Sequence, residues 1–168
     1  MGQTTIALGK CGSSTATFTR PANTTTYTAG DVMSDSTAWM TFRGALKDGC
    51  GAIQHAYLLD SANQTLLLDA ELWLFSTAPA ITTDNLAIAL TDAELASLVG
   101  VIDFAVADGK VGLATSGAGG NAINVQTGLG IPVKNVGNQN DLYGVLIARN
   151  AYIPVSAEIF TVTLAVVY

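Results

Sequence analysis

The chain has 168 residues, 49% of them hydrophobic and only 12% charged, and carries a net charge of −6 at pH 7. This length fits one domain with a substantial core, and the apolar share excludes a disordered chain. Nucleic acid is disfavoured as a partner, because its recognition needs clustered Lys and Arg, whereas Lys10, Arg20, Arg43, Lys47, Lys110, Lys134 and Arg149 are scattered singly.

No apolar run approaches the roughly 20 residues of a membrane-spanning helix, so no membrane partner is expected. The opening MGQTTIALGK lacks the basic start and apolar stretch of a signal peptide. It begins Met-Gly, but Ile6 stands where a myristoylation signal has Ser or Thr. With so few charges, the surface must be built largely from Thr, Ser, Asn, Ala and Gly, and part of it is expected to be hidden in an assembly.

In chain order, residues 1–19 read as an N-terminal arm or an outer strand, with Ile6 and Leu8 as candidate contacts to a neighbouring subunit or shell. Residues 20–168 read as a single domain of short strands separated by Gly, Asn, Asp and Pro clusters. The predicted strands are TATFT (15–19), TTYTA (25–29), AWMTFRGAL (38–46), AIQHAYLLD (52–60) and QTLLLDAELWLFS (64–76). VGVIDFAV (99–106), AINVQTG (122–128), LYGVLIARN (142–150) and the terminal EIFTVTLAVVY (158–168) follow. Asp108-Gly109 has the chemistry of a two-residue hairpin turn.

One helix interrupts the strands. Thr91 and Glu94 match a capping box, Leu90 and Leu95 a hydrophobic staple, and Gly100 a left-handed stop, which predicts a short helix near 92–99. The whole predicts an all-β fold, a β-sandwich of jelly-roll-like connectivity. An immunoglobulin-like sandwich is the rival, but its Cys…Trp…Cys pattern is missing.

Residues suited to chemistry are few. The one histidine, His55, is expected to share a strand face with Ile53, Tyr57 and Leu59 and to be structural; no GxSxG elbow accompanies it. Asp69 and Glu71 stand two apart on a strand, about 6.6 Å along it. They read as the wet side of a strand whose core row is Leu66, Leu68, Ala70, Leu72 and Leu74. Trp73 and Phe75 continue that outward row, and two large aromatics there imply cover by another element, another subunit or a sugar ligand.

SGAGGNA, with Gly117, Gly119 and Ala122, loosely matches a dinucleotide fingerprint, but NAINVQTGLGIP is a poor helix former, so the stretch reads as a loop. Asp31, Asp35 and Asp48 read as turn residues and not as metal ligands. Cys11 and Cys50 read as free thiols behaving as small apolar residues. No catalytic residue, cofactor or metal site is expected.

Three stretches carry a resemblance: RPANTTTYTAGDVMSDS (20–36), ELWLFSTAPAITTDNLAIALTDAELASLVGVIDF (71–104) and LYGVLIARNAYIPVSAEIFTVTL (142–164). Together they resemble a family of bacteriophage virion structural proteins, of the capsid decoration (cement) kind. The resemblance implies a β-fold that assembles as a homotrimer, binds the major capsid protein and stabilises the shell. It also implies a virion location after synthesis in the bacterial host cytoplasm, and supplies no catalytic residues. The alternative is a tail or host-recognition component in which Trp73 or Trp39 stacks on a glycan.

The terminal strand alternates strictly. Phe160, Val162, Leu164, Val166 and Tyr168 are expected to face the core. The intervening row is too uncharged for an ordinary edge, which predicts an interior strand or one covered by a neighbour.

Overall fold

A computed structural model of the chain describes residues 9–62, 68–105, 109–111, 122–135 and 139–168, with 109–111 described as backbone only. Among the described residues the order of elements is β1 (Cys11–Thr19), β2 (Val32–Met33), β3 (Met40–Phe42), β4 (Cys50–Asp60), β5 (Ala70–Phe75), α1 (Asp92–Leu95), β6 (Leu98–Phe104), β7 (Gly109–Val111), β8 (Ala122–Lys134), β9 (Leu142–Ala148) and β10 (Ile159–Val167). One sheet has the order β1-β10-β4-β8-β7. The other has β2-β9-β5-β6, with β3 also on β9.

β2 and β3 lie end to end along one edge of β9, pairing with Leu146–Ile147 and Leu142–Gly144. With β2 and β3 counted as one strand, and the three-residue β7 set aside as a fifth strand at the edge of β8, four strands remain in each antiparallel sheet, and the chain changes sheet at most connections. The first and last strands are neighbours in the first sheet. This is the double Greek key of a jelly roll, and it differs from the immunoglobulin order. The all-β sandwich expected from the sequence is the fold.

β10 organises the core. It pairs with β1 from Cys11–Val167 to Thr19–Ile159 on one side, and with β4 on the other. Phe160, Val162, Leu164 and Val166 are fully buried, in one cluster with Leu72, Leu74, Ile102, Phe104 and Leu146 of the opposite sheet. Burying each such side chain contributes about 1.5–3 kcal/mol. Phe160 also meets Phe18 at 5.5 Å and, edge-on, Tyr152 at 6.4 Å between ring centroids. The interior position expected for the terminal strand is the one observed. Tyr168 departs from the expected inward row: it is 38% exposed, because β10 ends at Val167 and the Tyr168 ring folds back over Gly12.

Other boundaries move for identifiable reasons. In TTYTA only Tyr27 makes a bridge, to Tyr152. Asn23 and Asp31 on either side accept from nearby backbone N–H groups of Thr25 and Thr28, which competes with a ladder. AWMTFRGAL is a strand only over Met40–Phe42, since Gly44 takes φ +59° and turns the chain. β8 runs on to Lys134.

The helix is shorter than predicted. Its capping box is present, with Thr91 and Glu94 each bonding the other's backbone, but it covers Asp92–Leu95 and is capped by Ala96. Leu95 is 41% exposed, and Leu90 packs against an apolar cluster on the outer side of the second sheet. Gly100 belongs to β6, where it pairs with Leu74. A side chain at Gly100 would meet Ile131 at 2.9 Å, so glycine there serves close packing between the sheets and not a helix stop.

The expected Asp108-Gly109 turn lies partly outside the described residues: Asp108 is not among them, and Gly109 opens β7, which pairs with β8. SGAGGNA lies outside the described residues up to Asn121, and Ala122 opens a strand, not a helix.

Deleting residues 164–168 removes Leu164 and Val166 from the core and leaves Cys11–Ser14 without a ladder partner. The shortened chain is expected to lose its cooperative thermal unfolding transition, followed by circular dichroism. A wild-type melting curve would contradict the central place given to β10.

Candidate interaction surface

The pleat that sends Phe160, Val162, Leu164 and Val166 inward sends Ile159, Thr161, Thr163, Ala165 and Val167 outward. Register extends this row across four strands. Thr15, Thr163, Tyr57 and Val125 stand side by side, as do Thr17, Thr161, Leu59 and Ile123, and likewise Ser13, Ala165, His55 and Thr127. The Cys11–Val167 pair continues to Ala52 and Pro132. Thr15 and Thr163 share a hydroxyl–hydroxyl hydrogen bond of 2.9 Å, and Thr17 and Thr161 one of 3.0 Å. Their hydroxyls are therefore partly satisfied within the sheet.

Among the described residues there is no Asp, Glu, Lys or Arg over this area. The nearest described charge in register is at the rim. Lys134 stands one outward position beyond Pro132, and the backbone of β7 borders β8 on that side. The β1 positions are exposed and those of β10 and β4 are half-buried, as expected for an open sheet face.

A register shift between Ile53 and His55 explains how β4 contributes. Ile53 is fully buried, while His55, Tyr57 and Leu59 face outward. The sequence expectation put all four on one face, which is corrected here: the bulge inverts the alternation. His55 Nδ1 is buried without a hydrogen-bond partner among the described residues.

The other predicted contact residues fare differently. Ile6 and Leu8 lie outside the described residues. Trp73 and Phe75 do face away from the main core, and the question of what covers them has an answer within the chain. A second apolar cluster sits on the outer side of the β2-β9-β5-β6 sheet, made by Val32, Trp39, Phe75, Val145 and Ile147 with Trp73, Ile88, Leu90, Leu98 and Tyr143 against it.

Ile88 and Leu90 come from the long connection between β5 and β6. That connection is fixed by Trp39 Nε1 donating to the Pro79 carbonyl at 2.8 Å and by the Ala80 N–H donating to Glu94. Phe75 is fully buried and offers no surface to a partner. Trp73 is half-buried, its Nε1 donating to Glu71 at 2.8 Å. Glu71 also pairs with Arg149, whose hydrogen bond holds the Glu71 carboxyl below its ordinary range. Glu71 on β5 and Asp69 just before it are both half-buried and sit on the wet side, as expected.

Cys11 and Cys50 are free, as expected, but exposed rather than packed as apolar residues. They lie on β1 and β4, separated by β10, so about 9.6 Å of sheet stands between their strands. That exceeds the reach of a disulfide. Cys50 lines a cavity of about 440 Å³ with Lys10, Lys47, Asp48, Gly51 and Tyr168. Asp31 and Asp35 accept from nearby backbone N–H groups in turns, and Asp48 takes φ +51°. Among the described residues no three His, Cys, Asp or Glu side chains gather as a metal site.

A buried polar assembly at the other end of β10 had no clear signal in the sequence. Arg20 is 1% exposed. It donates to the Tyr27 hydroxyl at 2.9 Å, pairs with Asp84 at 3.3 Å, and lies 5.0 Å from the Tyr27 ring centre. Tyr27 donates to Asp84 at 2.6 Å and stacks on Tyr152 at 6.5 Å. The Tyr152 hydroxyl is 2.8 Å from Asp60 and 2.5 Å from Glu158.

Tyr152 has one proton to give and two carboxyl groups to satisfy, so the trio is completed only when a carboxyl is itself protonated. Burial, reinforced by Asp60, pushes the Glu158 carboxyl up to about 8. Burial raises both tyrosine hydroxyls well above their ordinary value. Glu158 also accepts from the Val155 N–H at 2.9 Å, which ties down the β9–β10 loop. The assembly is closed to solvent and acts as a structural clamp.

Comparison with protein-family models finds no match to this chain, and comparison with curated proteins finds none.

Because folding raises the Glu158 pKa, the folded chain keeps a proton that the unfolded chain releases. The stabilisation is full below about pH 4.5 and is lost as pH rises towards about 8. The melting temperature of wild-type protein is expected to fall across that interval. Glu158→Gln, permanently neutral and able to donate to Asp60, should flatten the profile there. An identical slope in both proteins would refute the shared-proton assignment.

Proposed function

We propose that this protein is a non-enzymatic structural component of a virion, a bacteriophage capsid decoration (cement) protein that associates with itself and binds the assembled major capsid protein. The observation supporting this reading is the charge-free outer face of β1, β10, β4 and β8 on a chain of net charge −6. Depletion of charge is the compositional mark of the centre of a protein–protein interface. Long antiparallel ladders hold that face rigid before binding, so little ordering cost falls on association.

The mechanism is mass action. A protein that binds only the assembled lattice stabilises it by about 2.7 kcal/mol per site at a hundredfold excess over Kd. No catalytic residue, cofactor or metal takes part. Synthesis in the bacterial cytoplasm and residence in the virion follow from the same reading. The glycan-binding alternative draws less support, since Trp39 is buried with its N–H engaged, and Trp73 is half-buried against the chain's own second apolar cluster with its N–H donated to Glu71.

Purified protein added to shells lacking it is expected to co-sediment with them and to raise the temperature at which they open. Thr163→Lys, at the middle of the face, should abolish both effects. Retention on shells no greater than that of an unrelated acidic protein would overturn the proposal.

A further inference from the structure

We infer that the outer face of the β1-β10-β4-β8 sheet packs against the same face of a second copy of this chain, about a two-fold axis running along the strands between β10 and β4. The inference rests on reading that face as an assembly surface, but not on the virion assignment.

Area is the first argument. Four strands about 4.8 Å apart, with about 3.3 Å per residue over the nine residues of β10, give roughly 570 Å² before side-chain relief. Two copies therefore bury about 1,100 Å² or more, above the roughly 1,000 Å² expected of a biological interface. Face-to-face sheets about 10 Å apart are also a standard packing for such surfaces.

Charge is the second argument. Two chains of net charge −6 repel each other over most of their surfaces. Among the described residues the face has no Asp, Glu, Lys or Arg inside its rim, so a like copy can approach there without placing carboxylate on carboxylate or ammonium on ammonium.

Shape selects the axis. In the three central rows the β1–β10 half carries only Ser13, Thr15, Thr17, Thr161, Thr163 and Ala165, whereas the β4–β8 half carries Tyr57, Leu59, Ile123 and Val125 beside His55 and Thr127. A two-fold along the strands between the halves lays each small half on the partner's large half. A two-fold across the strands would instead set large on large and leave a gap between the small halves. An isologous contact of this kind closes at two copies. A trimer needs two different patches, so this contact alone does not build the homotrimer that the family resemblance implies.

The test uses full-length protein in sedimentation equilibrium. Wild type is expected to be a dimer. Thr163→Lys and Thr163→Glu each place two like charges close to the axis, and each should weaken the dimer by at least about a hundredfold. Mixing the two variants in equal amounts should restore a heterodimer, because lysine then faces glutamate. That rescue also shows that the variants are folded.

A wild-type monomer, a closed trimer, or variants that stay dimeric would each overturn the inference, as would a mixture that remains monomeric. If the dimer forms but does not bind shells, the virion reading fails and this inference stands. If monomeric wild type binds shells and Thr163→Lys does not, the face is an assembly surface but its occupant is not a second copy.

Discussion

The pleat of β10 sets the terms for the rest of the molecule. Because successive side chains leave a strand on opposite sides, one nine-residue segment supplies Phe160, Val162, Leu164 and Val166 to the core and Thr161, Thr163, Ala165 and Val167 to the outside. Pairing on both sides transmits that choice to β1 and β4, and through β4 to β8. A slip of one residue would exchange the two rows in the whole sheet. The apolar core fixes the register, and the register in turn creates a broad uncharged face. Core and candidate interface are thus two consequences of one alternation.

The buried polar assembly fixes the end of this sheet where β10 begins. An Arg–Asp pair removed from water is costly unless its remaining hydrogen-bonding groups find partners. Arg20 finds them in Tyr27, Asn23 and the Val155 carbonyl as well as Asp84. Tyr27 and Tyr152 bridge each other through backbone and ring, which links Arg20 and Asp84 to Asp60 and Glu158. Leaving any of these groups unpartnered costs about 1–3 kcal/mol, and more for a charge. The arrangement therefore pins the β1–β2 loop, the β5–β6 connection and the β9–β10 loop to one another, and it does so without presenting a reactive group to solvent.

Much of the fold was legible in the sequence, because period-two alternation in β5 and β10 and the turn residues between strands are local signals. The interior position of β10 could be inferred from its uncharged outer row. The misreadings came where non-local contacts decide. Leu98 and Val99 look like the end of a helix but belong to a strand, because β5 offers a ladder to Leu98–Phe104. The bulge at Ile53–His55 turned His55 to the outer face, and no residue type there announces it.

For the candidate surface, Trp73 and Phe75 were rightly placed outside the main core. They join an apolar cluster built within the chain from β2, Trp39 and β9, against which Ile88 and Leu90 of the β5–β6 connection also pack, and nothing local in the sequence signals where these segments meet. The charge-free face had to wait for the register, since Thr15, Thr163, Tyr57 and Val125 are distant in sequence. Arg20, Tyr27, Asp84, Tyr152 and Glu158 are likewise scattered along the chain and meet only in three dimensions.

The role of the uncharged face depends on whether it is covered in the assembled protein. Hydroxyl-radical footprinting of unmodified protein, read residue by residue at concentrations below and above self-association, addresses this directly. Tyr57, Leu59, Ile123 and Val125 are predicted to become protected on assembly, while Leu86 and Ile153, which are 55% and 60% exposed elsewhere on the surface, keep their reactivity. Undiminished labelling of Tyr57 and Val125 in the assembled protein, with protection appearing around Leu86 or Ile153 instead, would contradict it.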